Sequence, residues 1–273
     1  MSTVDVYKIT DRLDDPTLDV VVTRLEARGK HPRFIAMMEQ YLQAMHIDSA
    51  NTVLDLGCGT GVAARAIARR SAFKGHITAI DLSEYLVKTA RRLAEEEGVT
   101  GAIDFRAGDS HGLQLSAAAF DAAVAHTLVS HVADPLAVLR EMARVVKPGG
   151  TVGVFDGDYA SLTFGTDDPE KGKADDEAII NAVVTNPRVM RQMPQLLREA
   201  GFELIASFGH VVADIGKADF WTPGIESFVR LLPKSGAMTD AQAQSWGKSM
   251  FKRSEEGVFF GASNYYAYVA RRT

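Results

Sequence analysis

The chain has 273 residues, 46% of them hydrophobic, and a formal charge of −5. A chain of this length supports one large core, so a single domain over residues 1–273 is expected, and the acidic balance leaves no electrostatic footprint for nucleic acid. Cys58 is the only cysteine, which excludes an internal disulfide. The first residues are too charged for a signal peptide and no apolar run reaches membrane-spanning length, so a cytoplasmic protein with neither membrane nor nucleic-acid partner is expected.

Residues 1–30 show no clear pattern. The stretch RFIAMMEQYLQAM follows, with Phe34, Met38, Tyr41 and Met45 at helical spacing, and reads as a helix packed on the core. Residues 1–50 are therefore an expected helical cap. From Thr52, the β-rich runs TVLDL, HITAIDL, IDFRAGD, FDAAVAHT and TVGVFDG alternate with helical patterns. Ser83 caps EYLVKTARRLAEEE, which sets Leu86, Ala90 and Leu93 on one face and ends at Gly98. Pro135 opens LAVLREMARVV, and Lys147, Pro148, Gly149 and Gly150 close it. Strands joined through helices must be parallel with right-handed crossovers, so residues 51–156 predict a doubly wound α/β core with helices on both faces.

Beyond the fifth strand, residues 157–191 show no strand pattern and exceed an ordinary connection of about 2 to 6 residues. LLREAGFELIASF then reads as helix. Residues 209–261 form a second excursion with Phe220, Trp221, Phe228, Trp246 and Phe251, and with a capping box from Thr239 to Gln242. Both excursions are expected to be helical lids over a substrate. Their aromatics either pack the core or line an apolar pocket.

In VLDLGCGTG a buried strand ends in Gly57, Gly59 and Gly61 and a helix begins at once. Such a loop lets a ligand approach the backbone, and helix-start amides favour an anion. A dinucleotide fingerprint needs a third glycine where Val62 stands, which argues against NAD. Asp81 ends the second strand, where a carboxylate accepts both hydroxyls of a ribose. Asp109 ends the third, where a carboxylate can accept from an exocyclic amine.

Together, VLDLGCGTG, AIDLS, AGDS and FDAAVAHTLVSHVADPLAVLREMARVVKPGG resemble, in order, the class I S-adenosylmethionine-dependent methyltransferases. The likeness covers roughly Thr52 to Thr151 and is nearest the small-molecule branch of quinone-biosynthesis and natural-product enzymes. It implies S-adenosyl-L-methionine as cofactor and a seven-stranded, mostly parallel Rossmann-like sheet ending in an antiparallel strand, which NYYAYVARR fits. It implies that Gly57, Cys58 and Gly59 approach the methionine moiety, Asp55 places its amino group, Asp81 holds the ribose, Leu82 packs on the adenine, and Asp109 with Ser110 holds it. His126 then lies by the methionyl end.

The Asn/Asp-Pro-Pro-Tyr motif of adenine and glutamine N-methyltransferases is absent, and the lone thiol argues against cytosine C5 and arsenite enzymes. No residues have metal-ligand spacing; Asp156 and Asp158 read as caps or substrate contacts, and no metal is expected. The expected function is methyl transfer to an O, N or C atom of a small organic molecule. His126 and His131 are the candidate bases, while His111 and His210 read as loop residues. A non-methylating scaffold or cyclase and an NAD(P)-dependent oxidoreductase are the alternatives. A homo-oligomer is compatible with the sequence.

Overall fold

The computed structural model describes residues 5–273. Its core is a seven-stranded sheet of order β3-β2-β1-β4-β5-β7-β6. The strands are β1 (Thr52–Leu56), β2 (His76–Asp81), β3 (Ile103–Ala107), β4 (Phe120–His126), β5 (Val146–Phe164), β6 (Phe202–Gly216) and β7 (Phe259–Arg272). The first five are mutually parallel, and β7 runs antiparallel to both β5 and β6. Strand order reverses between β2-β1 and β4-β5, and parallel sheets open a ligand crevice beyond the carboxyl ends at such a point.

The alternation of apolar residues along β1 and β4 explains why both sheet faces are covered. Val53 and Val124 join the core formed with α2 (Pro32–Ala44) and α3 (Val62–Ala68). Leu54, Leu56, Ala123 and Ala125 face the opposite core, filled by Val138, Leu139 and Met142 of α5 (Pro135–Val145) and by Met193 and Leu197 of α7 (Val189–Glu199). Ser83 caps α4 (Glu84–Glu96) by accepting from the Leu86 amide, and Asp134 caps α5 by accepting from the Ala137 amide. Both caps satisfy amides that the first helical turn leaves free.

Three expectations need correction. Residues 5–30 are ordered by a 3-10 turn at Val6–Ile9 and a sixteen-residue helix, α1 (Asp15–Lys30), capped by Asp14 with a proline in its first turn. Residues 157–164 continue β5 and pair with β7 past a register shift between Asp158 and Thr163; only then does α6 (Pro169–Val183) begin. FELIASF is strand, because α7 stops at Glu199 and Gly201, at φ +91°, turns the chain back into the sheet as β6. Its apolar residues fit a helical and an extended period alike, since an edge strand leaves Leu204 and Ile205 partly exposed. The second excursion accordingly begins after Gly216 and consists of α8 (Thr222–Ser235) and α9 (Asp240–Glu255), with the Thr239–Gln242 capping box in place.

Phe155 of β5 is fully buried and stacks on Tyr41, His126 and Tyr265, with ring centroids 4.8 to 5.8 Å apart. Phe155→Ala is expected to cost about 3 to 5 kcal/mol in chemical denaturation. A loss near zero would mean that this stack does not hold α2 on the sheet.

Candidate active site

Three contiguous compartments lie along the carboxyl edge of the sheet, and Tyr7 and His131 line all of them. The first is bounded by Ile80, Asp81, Leu82, Gly108, Asp109 and Ser110, so the predicted ribose and adenine residues share one cleft. Asp109 is mostly exposed and accepts from the backbone amide and Nδ1 of His111 at 2.9 and 2.8 Å; the amide bond foremost holds its carboxyl below the ordinary range. Leu82, 41% exposed, forms the rim.

The middle compartment holds the glycine loop, Asp55, Asp81, Arg28 and His126. Gly57 and Gly61 have φ of +68° and +79°, and a Cβ at Gly57 would sit 2.5 Å from Leu128 Cδ1, so a side chain there fits neither backbone nor space. The amides of Cys58, Gly59, Gly61 and Ala64 are not free for an anion. Cys58 donates to the Ile80 carbonyl and Gly61 to the Cys58 carbonyl, while Gly59 donates to Asp81 Oδ2 at 2.8 Å and Ala64 to Asp55 Oδ2 at 3.0 Å. What the loop presents to the cleft is carboxylate. The carboxylates of Asp55 and Asp81 thus face the cleft beside the start of α3.

Asp55 is fully buried, and its Oδ1 has no partner. Burial, with the Asp81 charge adding to it, pushes its pKa up to about 7. Burial likewise raises Asp81 and carries the Cys58 thiol well above its ordinary value, so Cys58 is a packing residue. His126 ends β4 as expected, with Nδ1 2.9 Å from the Tyr41 hydroxyl, its ring stacked on Phe155, and Nε2 buried without a partner. Burial and Arg28 lower its pKa to about 3. It stays neutral at physiological pH and is a weak base, which revises the expectation that it titrates in the ordinary histidine range.

The third compartment is bounded by Arg24, Arg28, Tyr159, Trp221, Phe228 and Tyr265 among others. His131 stands between it and the middle one, with Nδ1 3.1 Å from Asp5 Oδ2. Burial opposes charge on His131, but Asp5, and Asp156 beyond it, outweigh that and raise its pKa. Asp5 also accepts from the Tyr7 amide and the Thr185 hydroxyl, both at 2.9 Å. Thr127, at φ +58°, accepts from Arg28 Nη2 at 2.9 Å; a β-branched residue in this region is strained and marks a site held by its surroundings.

Other candidates have structural roles. Asp156 accepts from the amides of Ser130 and Gly157, and Asp158 is paired bidentately with Arg191. His210 lies within β6 and lines none of the compartments, and the His111 ring accepts from the Asp134 amide. Among the described residues no cluster could hold a metal ion. Of the aromatics left open between core and pocket, Trp221 and Phe228 line the third compartment, while Trp246 packs edge-on against Phe164. Sequence reasoning missed Asp5, Tyr7, Arg24 and Arg28. The usable signal was in α1, where Val21, Arg24 and Arg28 recur at helical spacing, so that cations occupy positions on the buried face.

A doubly wound sheet with a glycine loop, two strand-end carboxylates and a cleft over its switch point defines a nucleoside-cofactor protein of the Rossmann-like class. Residues 54–154 match the family described as methyltransferase domain. An uncharacterized 37.1 kDa transposon protein of Streptomyces fradiae is 30% identical over 85% of this chain and 66% of its own length. The sterol 24-C-methyltransferase erg6 of Aspergillus fumigatus is 29% identical over 80% of this chain and 57% of its own. Among solved structures, the [4+2]-cyclase SpnF superposes with a TM-score of 0.56 at 24% identity, over 87% of this chain and 80% of that one. These matches support a class I S-adenosylmethionine-dependent methyltransferase, with the family model covering residues 54–154. The chain spans about three-fifths of the length of these two curated relatives.

Because the folded protein holds Asp55 near pKa 7 against an ordinary 3.8, ionising it costs stability as pH rises through that interval. Asp55→Asn is therefore expected to match wild type at about pH 4 and to exceed it at about pH 8 in denaturant titrations. Equal stability across that range would show that Asp55 is solvated.

Proposed function

We propose that the protein binds S-adenosylmethionine across the first two compartments and transfers its methyl group to a small organic molecule held in the third. The observation that carries this reading is the unpartnered Oδ1 of buried Asp55 in the middle compartment. A buried carboxylate oxygen with no donor suits a cationic group, as the methionine ammonium is, and does not suit a phosphate. Arg28, whose buried Nε also lacks a partner, would hold the methionine carboxylate. Asp81 would take the ribose hydroxyls, and Leu82, Asp109 and Ser110 the adenine.

When bound, S-adenosylmethionine supplies an electrophilic methyl group for in-line displacement from a sulfonium. The chain's part is alignment and exclusion of water, and well-oriented reactants gain about 7 to 11 kcal/mol from proximity. Neutral His126, fixed by Tyr41 and Phe155, shapes the middle compartment without adding charge near a sulfonium. Where the acceptor must lose a proton, His131 is the group at the junction, with Asp5 orienting its ring through Nδ1 and Nε2 left to take the proton. The same fold in a cyclase means that architecture alone does not choose the reaction.

Thermal shift and calorimetry with S-adenosylhomocysteine against NADPH, followed by transfer of isotope-labelled methyl to candidate acceptors, test the reading. Asp81→Ala is expected to weaken S-adenosylhomocysteine binding roughly 10- to 150-fold, the equivalent of about 1.5 to 3 kcal/mol for a charged hydrogen bond. Unchanged affinity would remove Asp81 from the ribose site, and binding of NADPH alone would overturn the cofactor.

A base must be neutral to accept, so the rate is expected to rise with pH through the raised pKa of His131. Asp5→Asn removes the largest influence raising it and should move that midpoint to lower pH, while His131→Gln should abolish the rise. A profile that persists in His131→Gln would remove the base role.

A further inference from the structure

The third compartment contains a charge that the methyl-transfer reading does not use. Arg24 is 6% exposed, forms no ion pair among the described residues, and has its Nη1 buried without a partner. Its guanidinium lies 5.9 Å from the Phe220 ring centroid. It also rests against Gly224 in the first turn of α8, where a Cβ would come within 3.2 Å of Cζ. The thirteen residues around this compartment include two arginines and no aspartate or glutamate. Two more buried N–H groups without partners belong to the same lining, Arg28 Nε and Trp221 Nε1. Burial, and the neighbouring Arg28 after it, lower the pKa of Arg24.

A desolvated guanidinium is costly unless something compensates it, and the usual compensation is a carboxylate. The cofactor is the wrong source. Arg28 lines both the middle and third compartments, whereas Arg24 lines only the third, and S-adenosylmethionine has a single carboxylate, which Arg28 is placed to meet. The remaining walls are aromatic and aliphatic, including Tyr159, Leu162, Phe228 and Tyr265.

We infer that the methyl acceptor is an organic anion, a ring-sized apolar body bearing a carboxylate or similar oxyanion, and that Arg24 binds that group. This inference rests on the third compartment being the acceptor site. The planar guanidinium fork accepts a two-oxygen anion through paired N–H donors, and the aromatic walls take the apolar body. Anchoring the anion at Arg24, beyond Arg28 and Thr127, leaves the acceptor's other end to face the junction at His131.

The test uses full-length protein saturated with S-adenosylhomocysteine, titrated calorimetrically with benzoate, phenyl phosphate and benzamide as matched probes. The expected result is binding of benzoate or phenyl phosphate at least tenfold tighter than benzamide, the stronger of the two identifying the oxyanion. Arg24→Met should erase that preference, a loss of roughly 10- to 150-fold, and Arg24→Lys should keep part of it. Arg24→Met should melt no lower than wild type, because a buried charge has been removed, and should bind S-adenosylhomocysteine within about twofold of wild type. Equal binding of benzamide, no binding of any probe, or a preference that survives Arg24→Met overturns the inference. So does a tenfold loss of S-adenosylhomocysteine affinity in Arg24→Met, which would assign Arg24 to the cofactor. Wild type that fails to bind S-adenosylhomocysteine yet prefers the acids through Arg24 sinks the methyl-transfer reading and leaves the anion site standing.

Discussion

The bond from the Ala64 amide to Asp55 Oδ2 is the constraint on which the cleft depends. It closes the turn between β1 and α3 by satisfying an amide at the helix start with a side chain from the strand end. One oxygen is thereby committed to structure, while the other remains buried and unpaired, so the same carboxylate fixes the loop and creates the demand for a cationic ligand. Asp81 does parallel work from β2, where Oδ2 accepts from the Gly59 amide and Oδ1 from the Ser83 amide. Two strands thus hold one loop.

The wall behind the loop is apolar on purpose of packing, and its effect is electrostatic. Phe34 meets the His126 ring edge-on at 5.1 Å while Phe155 stacks on it at 4.8 Å, so the imidazole is surrounded by rings and loses its charge. Phe34 also lies 5.0 Å beneath the Arg28 guanidinium. The cation that suppresses protonation of His126 is therefore held by the same ring that packs against it. His131, five residues on, has Asp5 for a neighbour and titrates in the opposite direction. Two histidines five residues apart, one ending β4 and one in the loop after it, are driven apart by what each is packed against, and only the one beside a carboxylate is suited to handle a proton.

The lining of the first two compartments was largely legible because its residues are local in the sequence. Asp55, Gly57, Asp81 and Asp109 sit at or just past strand ends, where topology alone delivers residues to the crevice, and three short apolar runs were enough to place them. The acceptor half was not legible, because its residues meet only in three dimensions. Tyr7 comes from a 3-10 turn, Arg24 and Arg28 from α1, Tyr159 from the outer length of β5, Trp221 from the residue before α8 and Tyr265 from β7. No spacing rule links them. β6 was misread for a different reason: an edge strand with half-exposed Leu204 and Ile205 lacks the clean alternation by which a strand is distinguished from a helix.

The way α1 is fastened differs from the way the sheet is fastened. Along its outer face α1 is tied by polar contacts, with Glu26 accepting from Thr60 and from Arg65, and Asp19 accepting from Tyr85 at 2.5 Å. The turn before it is tied through Asp5 to His131 and Thr185. The Glu26–Arg65 pair is nearly buried, so parting it costs more than parting an exposed ion pair. The sheet and α5 are held by apolar packing, and the roof over the cleft, despite Leu18 and Val21, leans more on polar links. Arg24 and Arg28, which line the third compartment, thus lie on the same face of α1 that buries Leu18 and Val21.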